Sequence, residues 1–379
     1  MKKLFSFIVL FVLISIVSKN LYAKIYTVSN RPTMPAMFTT IQAAVDSAKQ
    51  GDTIYVQGSP VIYPDFTVVN KRLHIFGPGF SPITSDKFSA NVNYMNIRNT
   101  TTDLLSNGGS LQGFVIGFMD FTLNAFNDRP VNNYSISRCA FVNGRINFYA
   151  NVSNLNIENC YFTSSNCGLS FSAATFTNII IQNNVFRLIS GHNGAIIGLL
   201  NSSNVLINHN VFYTTILSGN GALIFESVFS QAVRSLTLSN NIFINSNISN
   251  SVLQNSSFYN NITFYSNGPQ APANIPWLSN NNLDGGGNIY NQDPSLISHV
   301  AISTGADAIG LDFRANAGQA TNAGSDGKDI GLLFNTVGSL NWERASTSRM
   351  PVITQLKVKN PTVGPNGTIQ IEIKAVNNN

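Results

Sequence analysis

The middle of the chain repeats one short alternation of apolar and polar positions. Copies read ISRCAF from Ile136, IENCYF from Ile157, IQNNVF from Ile181, INHNVF from Ile207, LSNNIF from Leu238 and a degraded FYNNIT from Phe258. The common form is apolar, any, polar, Asn or Cys, any, Phe, recurring at spacings of 21, 24, 26, 31 and 20 residues. A further large apolar residue lies two places earlier, at Tyr134, Leu155, Ile179, Val205 and Leu236. Each copy therefore predicts a short alternating strand followed by a turn. LQGFVI from Leu111 is a less regular further copy.

A strand-rich repeat of this length with variable loops predicts a parallel β-helix in which each copy forms one coil. Leucine-rich repeats share the length range but need a leucine framework, whereas the fixed apolar points here are Ile at the strand and Phe five positions later. Stacking the coils puts Ile157, Ile181, Ile207 and Leu238 in one internal column, and Phe141, Phe162, Phe186, Phe212 and Phe243 in another. The slot at Cys139, Cys160, Asn184, Asn210, Asn241 and Asn261 falls at the bend. There an amide can bond both local backbone and the next amide about 4.8 Å away, a structural ladder.

Before the repeats, Thr39-Thr40-Ile41-Gln42 predicts a short helix with a capping box between Thr39 and Gln42, and Ile41, Ala44, Val45 and Ala48 form its apolar face. Such a helix would cap the first open coil. FTTIQAAVDSAKQGDTIYV, the LHIFGPGF run from Leu73, the Ile-x-Asn-Asn-x-Phe copies and GGNIYNQDPSL from Gly286 together cover most of residues 35 to 335. On these segments the chain resembles the right-handed parallel β-helix proteins of the pectate-lyase-like superfamily, the pectin-lyase-like fold. NAGSDGKDIG from Asn322 resembles the closing segment of secreted proteins of this kind from Bacteroidetes. The expected architecture is an all-β, single-stranded right-handed parallel β-helix solenoid with an N-terminal capping helix and a small C-terminal β appendage. Its boundaries are a signal peptide over 1–23, the β-helix with its cap over 24–335, and a hairpin or cap over 336–379. Val352 to Lys359 and Thr368 to Lys374 supply the two alternating runs of that appendage.

Composition changes the picture in one respect. Charged residues are 10% of the chain, while 52 of 379 residues are Asn. In a stack, a repeated charge would meet its own copy, whereas Asn, Ser and Thr can bond along the column. Lys2 and Lys3 precede an apolar run from Leu4 to Val17, ending at Leu21-Tyr22-Ala23, so Met1 to Ala23 reads as a secretory leader. Without its three lysines the formal charge falls from +5 to +2. No basic run with interleaved aromatics points to nucleic acid. With the leader removed no transmembrane segment is expected, which predicts a secreted, periplasmic or outer-surface monomer. Cys139, Cys160 and Cys167 fit neither a disulfide scaffold nor a zinc site; buried thiols or one bridge, Cys160 to Cys167 or Cys139 to Cys160, stay open.

Candidate chemistry is sparse. Between Arg129 and Asn282 the acids are Glu158 and Glu226, so the paired carboxylates of glycoside hydrolysis are not evident. The best collection is Asp120, Asp128, Arg129, Arg138, Arg145 and Glu158. The resemblance implies that a lyase of this fold would bind calcium through the acids and use Arg138 or Arg145 toward an acidic sugar; no other cofactor is expected. His209 stands in the Asn-rich bend, where a structural hydrogen bond is expected, and His192 stands in a loop. Tyr149, Tyr161 and Tyr213 are candidate platforms for sugar rings. The GPGF and DGGGN runs lack the context of a phosphate loop. The expectation is a secreted or cell-surface β-helix protein that contacts a polysaccharide or surface glycan, or is structural, without demonstrated catalysis. The alternative is a polysaccharide lyase or glycoside hydrolase.

Overall fold

The computed structural model describes residues 23–80, 88–122, 128–164, 168–172, 175–189, 194–200, 202–214, 222–226, 232–248, 252–266, 271, 274–306, 311–334, 340–342, 352–359 and 368–376. The expected leader over 1–23 lies outside them apart from Ala23, as do Cys167 and His192. The fold is an all-β parallel β-helix. Eleven strands, from Ile25–Val28 to Leu283–Asp284, pair side by side in one parallel sheet, and a second sheet of twelve strands runs beside it. Successive coils pair in register, so Ile136, Ile157, Ile181, Ile207 and Leu238 form one column, and each is fully buried. Phe141, Phe162, Phe186, Phe212 and Phe243 stack with ring centroids 4.6–5.0 Å apart and planes within 10° of parallel. A second aromatic column, Phe121, Phe148 and Phe171, stands on the other limb of the second sheet.

Between the sheets the chain turns on two residues. The first adopts positive φ at Arg138, Asn159, Asn183, His209, Asn240 and Asn260, a left-handed conformation that Asn tolerates better than most side chains. The second points inward and forms the amide ladder. Asn184 Nδ2 donates to Asn210 Oδ1, Asn210 Nδ2 to Asn241 Oδ1 and Asn241 Nδ2 to Asn261 Oδ1, each at 3.0 Å. Each amide also reaches backbone, as Asn210 Nδ2 does at Ile181 O (2.9 Å). Cys139 and Cys160 continue this column as free buried thiols, and burial pushes the Cys160 thiol up.

The helix Ile41–Ser47 buries Ile41, Ala44 and Val45 and packs near the first strands. Its cap differs from the expected box. Thr40 is extended, and its Oγ1 accepts from Ala43 N, so the helix starts one residue later than a Thr39 cap requires. Gln42 instead bonds Asp46 Oδ1 (2.8 Å) and accepts from Thr67 N (2.8 Å), tying the cap to the strand Phe66–Val69. The strands Val352–Val358 and Ile371–Val376 form an antiparallel hairpin. Among the described residues, no helix is long and apolar enough to cross a membrane.

Beyond the last coil, described residues between Ile289 and Trp342 form a strap against the second sheet. Leu296, Ile302, Phe313, Ile330 and Leu332 bury the outward side chains Tyr161, Val185, Val211, Tyr213, Ile242 and Ile262, making a second core outside the helix. The left-handed bend column holds this strap. Leu333 N donates to Asn183 Oδ1 (2.7 Å), Ser325 N to Asn240 Oδ1 (2.8 Å), and Asn260 Nδ2 to Ala323 O (2.8 Å). His209 Nδ1 donates to Gly331 O at 2.9 Å, while its Nε2 lies 3.3 Å from Asp326 Oδ2 and from Asn240 Nδ2.

Asn210→Leu removes the side-chain acceptor of Asn184 N and the donor to Ile181 O and leaves Asn241 Oδ1 with the residue 210 backbone N–H alone, so a loss of about 3 kcal/mol is expected in urea unfolding, and an unchanged midpoint would count against the ladder. Burial lowers the His209 pKa below its ordinary 6.5, against the pull of Gly331 O and Asp326. The unfolded chain therefore takes up the proton first as pH falls: this contribution is complete above about pH 6.5 and is lost on acidification. His209→Asn, which restores the residue of neighbouring coils, should flatten the dependence of the thermal midpoint between pH 7.5 and 5.

Candidate functional site

The site is built where the repeat breaks. Between Ile116 and Phe118 the pairing with the next coil slips, and a Cβ on Gly144 would lie only 1.4 Å from Gly117 O. Only glycine permits that approach. Beyond the slip, Met119, Phe121, Ile146 and Phe148 are the core residues, so the alternation sends Asp120, Arg145 and Asn147 outward. Register then aligns Asn96, Asp120, Asn147 and Ser170 across four adjacent coils.

Asp120 is 6% exposed and fixed from two sides. Tyr94 Oη donates to its Oδ2 at 2.7 Å, and Asn147 Nδ2 donates to its Oδ1 at 2.6 Å. Asn96 Nδ2 donates to Tyr94 Oη (3.3 Å), and Asp65 Oδ1 accepts from Tyr94 N (3.0 Å). Burial, then the bond to Asp120, pushes the Tyr94 phenol up to about 12, so it is a neutral donor at physiological pH. Asn96 Oδ1 and Thr122 Oγ1 are buried and have no hydrogen-bond partner among the described residues. Tyr149 lies close enough to raise the Tyr94 pKa further. On the neighbouring edge, Arg98 binds Asp128 through two bonds, Nε to Oδ2 (2.9 Å) and Nη2 to Oδ1 (2.8 Å), and Asp128 raises the Arg98 pKa.

Asp120, Arg145 and Tyr149 thus share one face with Asp128 at its border. Two other candidates do not join them. Arg138 occupies a left-handed bend, is 1% exposed, and its backbone N donates to Glu158 O. Glu158 faces outward from the first sheet, where Asn156 Nδ2 (2.9 Å) and Gln182 Nε2 (3.4 Å) donate to its carboxylate. Tyr161 and Tyr213 are not exposed platforms: they are 1% and 0% exposed, because Phe80 packs on the Tyr161 ring and Phe313 of the strap on that of Tyr213, whose Oη donates to Ala306 O at 2.7 Å. Tyr94, Asn96 and Asn147 were the members that repeat spacing missed; the signal for them was the glycine pair that shifts the alternation. The residues do not fit calcium. Among the described residues no three His, Cys, Asp or Glu side chains converge, whereas calcium takes six to eight oxygens, and both Asp128 oxygens are engaged by Arg98.

No protein-family model matches the chain, and no curated protein matches it. Solved structures of the pectin methylesterase from Aspergillus niger, in deglycosylated and penultimately deglycosylated forms, are similar to it at 12% identity. The matches cover 84% of this chain and 94% of the esterase, with TM-scores of 0.27 and 0.26. Nothing about the chemistry of this chain follows from them.

Tyr94→Phe removes a charge-assisted bond and should cost about 2 kcal/mol at pH 7 by urea unfolding. Alkaline titration of tyrosinate absorbance should then show one fewer late-ionising tyrosine. Because the folded phenol titrates above its ordinary 10.0, its contribution is complete below that pH and is lost as pH rises toward 12.

Proposed function

We propose that this is an exported or cell-surface protein that engages a polysaccharide on the outer face centred on Asp120. One observation carries the reading. The Asp120 carboxylate, fixed by Tyr94 Oη and Asn147 Nδ2, stands in register with Asn147 and Ser170 on an outward face that also carries Arg145 and Tyr149. Hydroxyl groups both donate and accept, so a sugar bonds such a row of carboxylate, amide and hydroxyl groups where an apolar ligand leaves them unpaired. Arg145, two positions before Asn147 on the same outward face, suits the carboxylate of an acidic sugar. The leader over Met1 to Ala23 supports export.

A second reading, a polysaccharide lyase, draws on the same face. Elimination from an acidic sugar needs a cation at the sugar carboxylate and a proton acceptor nearby, and Arg145 and Asp120 are groups of those kinds. Hydrolysis is less well supported, since Asp128 is held by Arg98, Asp65 accepts from Tyr94 N, and Glu158 lies on the other sheet.

The test presents mature protein to acidic and neutral polysaccharides, with and without calcium, and scores retention and product release separately. Retention that falls at least tenfold in Asp120→Ala, without release, supports the binding reading. Unsaturated sugar products that disappear in the same variant establish the lyase. Neither retention nor release on any polymer overturns both.

A further inference from the structure

The strap seals part of the second sheet, whereas the outer face of the eleven-stranded sheet keeps two columns of side chains largely half-exposed along its length. One column carries Tyr55 and Phe76 near its start, with rings 5.4 Å apart, continues through hydroxyls and amides such as Ser137, Gln182 and Asn208, and ends with Tyr259. From the strand of Phe76 to that of Tyr259 there are seven inter-strand steps, or about 34 Å. Glu158 is the one carboxylate in either column, and two amides bond it. His74 is the one group there able to become cationic, and burial, helped by Arg72, lowers its pKa. Lateral bonds hold the face still: His74 Nδ1 lies 2.9 Å from Ser110 Oγ, and Ser239 Oγ donates to Asn208 Oδ1 at 2.9 Å.

We propose that this face docks a neutral, extended polysaccharide chain lying along the solenoid axis. The inference takes its ligand class from the glycan reading above but assigns another place and another charge. An anionic polymer would find no fixed cation in these columns, while a neutral one leaves no charge unpaired, since Asn156 and Gln182 already bond Glu158. The amides and hydroxyls offer donors and acceptors at strand spacing, and the aromatic residues at the two ends supply stacking surfaces for sugar rings. Because the side chains are already tied to one another, little rotamer freedom is lost on binding.

Affinity electrophoresis of the full chain, in gels containing mixed-linkage glucan, xylan, galactomannan or polygalacturonate, tests this. Retardation by at least one of the neutral polymers and none by polygalacturonate in the Asp120→Ala background is expected. Leu206→Arg with Thr237→Arg, both outward in the parallel column, should weaken that retardation at least tenfold with the thermal midpoint unchanged, and Tyr259→Ala several-fold. If the double variant lowers the midpoint, Thr237→Arg alone decides. No retardation by any neutral polymer, or full retardation of the arginine variants, overturns the proposal. Asp120→Ala should leave neutral-polymer retardation intact, so failure at the Asp120 face and failure here read out separately; neutral binding lost in Asp120→Ala alone overturns this assignment.

Discussion

In-register parallel stacking makes every side chain in the coils meet its own equivalent about 4.8 Å away. A residue type is therefore selected for what it does beside a copy of itself. Ile and Phe pack well on themselves, which gives the paired internal columns and their nearly parallel rings. An amide carries a donor and an acceptor, so it can bond a copy of itself indefinitely; a carboxylate or an ammonium cannot. That asymmetry accounts for a chain with 52 Asn and only 10% charged residues. It also explains why Asn184, Asn210, Asn241 and Asn261 can be fully buried at the bend, where an unpaired amide would be costly.

The same bends solve a second problem. A two-residue turn needs one left-handed residue, and Asn fills that position in four of the six bends, with Arg138 and His209 in the others. The side chains at Asn183, His209, Asn240 and Asn260 then lie outside the core in a regular row. The strap uses that row as its seat, through backbone at Ala323, Ser325, Gly331 and Leu333. A purely local requirement of the turn thus becomes a long-range attachment, and it places apolar strap residues over an outer face that would otherwise expose Val185, Val211 and Ile242.

The parts of the fold legible in the sequence were those governed by repetition. The Ile and Phe columns and the inward amide slot follow from the hexapeptide copies, and the cap follows from a short amphipathic run, with its start misjudged by one residue because Thr39 and Thr40 are both good caps. The strap was not legible. Tyr161 and Tyr213 occupy outward positions by alternation, and alternation cannot report that Phe80, far earlier in the chain, packs on Tyr161 or that Phe313 of the strap, 100 residues later, packs on Tyr213. Of the site candidates, Asp120, Arg145 and Tyr149 share a face because they follow the slip at Gly117 and Gly144. Arg138 and Glu158 were grouped with them by proximity in sequence, yet the bend between them and the second sheet sends them elsewhere.

Within a column, adjacent like charges are excluded, whereas a single charge between polar neighbours is tolerated. Asp120 illustrates the condition. Its two neighbours in the column are Asn96 and Asn147, so the carboxylate meets amides on both sides, and Tyr94 supplies a further donor. A second carboxylate at either amide would place two like charges one strand apart with no cation between them, which is destabilising. The column therefore admits a single acid, and a paired-acid mechanism would have to reach outside it, across to the edge where Arg98 already binds Asp128. The stacking rule that gives the molecule its composition thus also limits the chemistry this face can perform: one fixed carboxylate, a phenol held neutral beside it, and an arginine on the same outward side.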